Sequence, residues 1–238
     1  MGNPALAKAG IAALSAGCVG TGGYCIYKFH DSHGNHMELT TSISDLFKTS
    51  QNKVLLTNSS TSEEWNSAWV GYRDANKGKD SDEWKISGFS SKSAEDNAFQ
   101  EFKDACISRY SIKVKGIEDR SYQQVKDWCT RAKKIAELLS DEEGIELIPE
   151  NQADQDWKTS WNTYREAHKE SSGTNYKETD TWTVTNWSQD KANDTLSTNF
   201  KSKCLEQSKK DIVNGKEDDL YKQVKNWCTR KKSPLQRG

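Results

Sequence analysis

The chain has 238 residues, enough for one large or two small domains, and 34 basic residues against 35 acidic ones leave a formal net charge of -1. That balance gives no global attraction to a polyanion, so nucleic acid is not an expected partner. Hydrophobic residues are only 33% of the chain and mean hydropathy is -0.94, which approaches a disordered composition, yet nine Trp and eight Tyr supply apolar area for a folded, thin core.

Residues 9–27 are an uncharged run between Lys8 and Lys28, just long enough to cross a bilayer as a helix. The expectation is an N-terminal hydrophobic helix within residues 1–29, retained as a membrane anchor. Cleavage ahead of Cys18, or lipidation of Cys18 in the string LSAGC, are competing fates of the same residues. A buried soluble helix is disfavoured by five glycines in the run, each costing about 1 kcal/mol in a helix interior.

Residues 30–60 are rich in Ser, Thr and Asn and read as a polar spacer with one short helix near residues 44–49. His30, His33 and His36 stand here as H-x-x-H-x-x-H, but Gly34 and Asn35 interrupt any helix and no structural zinc spacing is met. The histidines are read as solvated, with no metal and no cofactor.

Two stretches then spell the same phrase. Residues 121–131 read SYQQVKDWCTR and residues 220–230 read LYKQVKNWCTR. The match extends upstream in order. Trp65, Trp69, Tyr72 and Arg73 pair with Trp157, Trp161, Tyr164 and Arg165. Trp84, Phe89, Phe102 and Cys106 pair with Trp182, Trp187, Phe200 and Cys204. Tyr122, Val125, Trp128 and Cys129 pair with Tyr221, Val224, Trp227 and Cys228. So many ordered matches identify an internal duplication. Trp65, Trp69 and Tyr72 lie at i, i+4, i+7, one face of a helix, and Thr61 with Glu64 makes a capping box ahead of it. Two further helices follow around Phe102 and Trp128, the last extended through KKIAELL. The fold class expected is mainly α: two tandem three-helix repeats at 61–140 and 154–232, a linker at 141–153 around Pro149, and a tail at 233–238. Their cores would hold Trp65, Trp69, Trp84, Phe102 and Trp128 in one copy, and Trp157, Trp161, Trp182, Phe200 and Trp227 in the other.

Cys18 and Cys25 belong to the N-terminal run. The other four cysteines fall as one pair per repeat, Cys106 with Cys129 and Cys204 with Cys228, each pair on apolar faces of successive helices. A disulfide closing about 24 residues stabilises a small domain by ~3.5 kcal/mol in the chain-entropy model, and it requires an oxidising compartment. Free buried thiols are the alternative. No nucleophile elbow, phosphate-binding loop or zinc-protease helix occurs, and no histidine lies at matched positions of the two repeats. Acidic clusters such as Asp141-Glu142-Glu143 read as solvated turns. The protein is therefore not expected to be an enzyme.

The N-terminal MGNPALAKAGIAALSAGCVGTGGY, the Lys/Asn/Ser/Thr-rich body and the recurring Trp-Cys-Thr phrase resemble large paralogous families of uncharacterised proteins in haemotropic mycoplasmas. The resemblance implies a cell-surface, membrane-anchored protein with a part in host contact or antigenic display, and it transfers no site residues. The function expected is a membrane-anchored module with its body outside the cell, binding a host protein or another surface ligand. A cytoplasmic-facing scaffold with free thiols, and an enzyme with a site between the repeats, are the alternatives.

Overall fold

The computed structural model describes residues 16–18, 25–27, 40–171 and 174–232. Ala16–Cys18 (β1) and Cys25–Tyr27 (β2) pair as antiparallel strands, with Cys18 opposite Cys25, where the sequence pattern predicts a helix. Gly17, in β1, is a poor helix former. The rest of the expected 1–29 anchor, the three histidines at 30, 33 and 36 and the 233–238 tail lie outside the described residues. Among those described, no helix is long and apolar enough to cross a membrane.

From Thr41 onward the protein is mainly helical. A first half runs β3 (Thr41–Ser42), α1 (Ile43–Lys48), β4 (Lys53–Leu55), α2 (Ser62–Asn76), α3 (Phe89–Lys92), α4 (Gln100–Arg109), β5 (Lys113–Val114), α5 (Arg120–Trp128) and β6 (Thr130–Ala132). A second half runs α6 (Ile135–Ser140), β7 (Ile145–Leu147), α7 (Asp154–Ala167), α8 (Trp187–Asp190), α9 (Thr198–Ser208), a 3-10 turn at Gly215–Glu217, α10 (Asp219–Trp227) and β8 (Thr229–Lys231). The strands are short clasps. β4 pairs antiparallel with β6, and β7 with β8. β3 pairs with β5, and the matching place in the second half is a single bridge, Lys134 to Asp211.

α2 begins where its sequence signals put it. The Thr61 backbone N–H donates to Glu64 Oε2 at 2.9 Å, and the Glu64 N–H donates to Thr61 Oγ1 at 3.3 Å. This closes a capping box over N–H groups that have no partner within the helix. The face carrying Trp65, Trp69 and Tyr72 is buried. It packs on Phe102 of α4, on Val125 of α5, and on Ile43, Leu46, Phe47 and Leu56. The second core is built from Trp157, Trp161, Tyr164, Phe200 and Val224 with Ile135, Leu138, Leu139 and Ile148. Of the core residues expected from sequence, Trp65, Trp69, Phe102, Trp157, Trp161, Trp182 and Phe200 are buried, while Trp84, Trp128 and Trp227 are partly buried against the same cores.

Three boundaries differ from those expected. Residues 41–60 are not spacer, because α1 and Leu56 are buried in the first core. KKIAELL does not extend the preceding helix. α5 stops at Trp128, β6 follows, and Ile135, Leu138 and Leu139 of the separate helix α6 enter the second core. Residues 141–153 are not a free linker, since β7 clasps β8, Ile148 is buried and the Pro149 carbonyl accepts the Trp157 indole N–H. The halves meet with almost no intervening chain. Across the seam, Asn52 Nδ2 donates to Val213 O and Lys216 N donates to Gln51 Oε1.

Candidate functional site

The repeated phrase is absorbed by the fold, residue by residue. Trp128 stands edge-on to Tyr72 and Trp84, with ring centroids 5.1 and 5.2 Å away. Trp227 does the same to Tyr164 and Trp182, at 4.9 Å each. Such pairs each contribute about 0.5–1.5 kcal/mol beyond area burial. Cys129 is disulfide-bonded to Cys106 and Cys228 to Cys204, with Cα atoms 5.6 and 5.7 Å apart. Thr130 Oγ1 donates to Lys126 O and Thr229 Oγ1 to Lys225 O, closing the last turn of each helix. Arg131 is ion-paired to Glu64 in the first turn of α2 and forks onto Glu137; Arg230 is ion-paired to Asp156 and Glu146. The Gln four residues before each Trp is engaged as well. Gln124 Oε1 accepts the Trp84 indole N–H, and Gln223 Oε1 accepts that of Trp182.

A second shared device is a buried Tyr–Asp hub. Tyr72 OH donates to Asp82 Oδ2 at 2.5 Å, Ile86 N donates to the same oxygen, and Trp84 N donates to the Tyr72 hydroxyl. In the second half Tyr164 OH donates to Asp180, whose carboxylate also accepts the N–H groups of Trp182 and Val184. Burial pushes both tyrosine hydroxyls well above the usual phenol range, and the neighbouring Asp adds to it. Each phenol is thus a fixed donor, not a base. With its carboxylate filled by backbone N–H groups, the hub is built to hold the crossing loop.

The halves differ beside this hub. Asn76 ends α2: its Nδ2 donates to Tyr72 O and its Oδ1 accepts from Glu83 N. His168 takes the same place after α7, with Nδ1 at Tyr164 O and Nε2 accepting from Thr181 N. Both side chains are buried. Beyond Asn76 the first half opens into a cleft of about 980 Å³, lined by Arg73, Asp74, Lys77, Lys85, Phe89 and Ser93 among others. The matching place in the second half holds a longer loop, closed by a Lys169–Tyr176 bridge, and leaves a hollow of about 300 Å³ next to Asp180 and Asn186.

At the seam, carboxylates are matched by cations: Asp211 with Lys134 and Asp141 with Lys133. Among the described residues, no group of three or more His, Cys, Asp or Glu side chains is placed to hold a metal ion. Sequence reasoning missed Asp82 and Asp180, Gln124 and Gln223, Asn76 and His168, and the two Arg clamps. The signal for the first was present: each Asp stands two residues before a matched Trp. No family model, curated protein or solved structure matches the chain.

Proposed function

We propose that the chain is a membrane-anchored surface module. It would comprise two tandem disulfide-stapled repeats, each built on three principal helices, following an N-terminal hydrophobic anchor and a polar stretch. Its work is binding a host or other surface ligand, or antigenic display, without catalysis. The observation that carries this reading is the pair of buried disulfides at matched places, since such bonds persist in oxidising surroundings and compensate for a thin aliphatic core. The non-catalytic part is supported by the repeated Tyr, Asp and Gln side chains, each of which bonds to another part of the fold. Labelling intact cells with a membrane-impermeant amine reagent tests the location. Modification of exposed lysines such as Lys48 on intact cells is expected; modification only after lysis would sink the reading.

A further inference from the structure

The loop that separates the halves shows what the first-half cleft is shaped to hold. Tyr176 sits between five neighbours in the second half. Its ring lies 5.5 Å from the Arg165 guanidinium, 5.7 Å from Lys169 Nζ and 6.4 Å edge-on from Trp187. Its hydroxyl donates to Glu166 Oε1 at 3.3 Å, and Lys191 Nζ reaches its carbonyl at 3.5 Å. The residues at matched positions in the first half are Arg73, Lys77, Phe89, Asp74 and Ser93, and all five line the open cleft. The first half has no residue in the place of Tyr176, because Asp82 follows Asn76 by six positions whereas Asp180 follows His168 by twelve.

We propose that the cleft beside α2 binds an extended peptide segment of a partner protein through a tyrosine side chain. The ring would lie on the Arg73 guanidinium with its edge to Phe89, and its hydroxyl would donate to Asp74. The side chain of Arg73 is already oriented for this. It is held by Asp96, Asp74 and the Glu95 carbonyl, as Arg165 is held by Asp194, Asn162 and the Lys191 carbonyl. Arg73 is 18% exposed where Arg165, under its own loop, is 5% exposed. A guanidinium face left uncovered favours an aromatic partner. The occupant is not the loop of a second copy, because that loop is tied to its own half by the Trp187 indole N–H on Lys177 O and by Lys191. The first half replaces those two residues with Phe89 and Ser93, so a partner segment would be anchored by its tyrosine more than by its backbone.

This proposal rests on the reading of the protein as a binding module, and its test is independent of cellular location. The probe is a synthetic peptide of residues 169–178, KESSGTNYKE, titrated into isotope-labelled full-length chain and followed by amide chemical shifts. Saturable shifts at Lys77, Phe89 and Ser93 are expected near 1 mM, where a contact of roughly -4 kcal/mol half-saturates. A peptide carrying Tyr176→Ala should bind at least about ten-fold more weakly. Because the peptide is changed and not the protein, misfolding cannot imitate the result. No saturation at several times that concentration, equal binding of the Ala peptide, or shifts confined to residues 165–191 would overturn the proposal. Any of these would leave the surface-module reading standing, while free thiols in the native protein would remove that reading without touching the peptide result.

Discussion

Asn76 and His168 close the longest helix of each half with different chemistry and the same two bonds. The carboxamide and the imidazole each hold the carbonyl one turn back and one backbone N–H of the crossing loop. Immediately after them the halves part: one loop is short and leaves a cleft, the other is six residues longer and lays Tyr176 against Arg165. Sequence change is tolerated where the new side chain reproduces a bond, and loop length is free where both ends are pinned by a Tyr–Asp hub. The scaffold around the hub is therefore common to both halves, which differ at the surface beside it.

If the scaffold is common, losing either disulfide should cost the same. Cys106→Ala with Cys129→Ala, or Cys204→Ala with Cys228→Ala, removes a loop closure of 23 or 24 residues. Each double variant should lose about 3.5 kcal/mol in urea unfolding. A loss below about 1 kcal/mol in one half alone would break the equivalence. Next in size is the hub. Tyr72→Phe and Tyr164→Phe each strip a donor from a buried carboxylate, and a loss of about 1–3 kcal/mol is expected in both, read as faster hydrogen exchange in α4 and α9 respectively.

Acid should separate the halves. Glu142 accepts from Lys216, Lys225 and Tyr221, and the hydrogen bond from Lys216 leads in holding its carboxyl down to about 2. The first half has Ser50 at the matching position, and Tyr122 stacks on Phe47 instead. A depressed folded-state value means the stabilisation is present above the unfolded value near 4.5 and is lost as pH falls toward 2. At neutral pH, Glu142→Gln should cost about 1–2 kcal/mol after screening is allowed for, and near pH 2 the variant and parent should converge. A pH-independent difference would mean the ion pairs around Glu142 do not stabilise the fold. The smallest effect lies at the turn into α3. Gly88 has φ 80° and the matching Asn186 has φ 63°. Gly88→Ala should cost about 1 kcal/mol and Gly88→Asn less, by thermal unfolding, because Asn tolerates the left-handed region better.

Helix positions were legible because Trp, Tyr and Phe mark the buried faces at helical spacing, and because Thr61 and Glu64 announce the start of α2. The first helix of each half was legible only in part. A short helix near residues 44–49 is expected from sequence and α1 meets it, but its place in the core was not legible, and α6 reads as part of another helix. Ile43, Leu46 and Phe47, and Ile135, Leu138 and Leu139, share spacing but little identity, and their flanks are polar. α6 also follows a helical pattern so closely that it read as a continuation. What ends α5 is tertiary: Cys129 must reach Cys106, and Arg131 must reach Glu64. The cleft was invisible for a related reason. It arises from six residues that one half lacks, and its walls are ordinary Lys, Asp and Ser side chains whose grouping only the fold creates.

Thiol accounting on protein isolated from its native source without reductant tests the stapled scaffold most directly. Mass-spectrometric mapping without reduction should find Cys106 linked to Cys129 and Cys204 linked to Cys228. Four free thiols at these positions would contradict it.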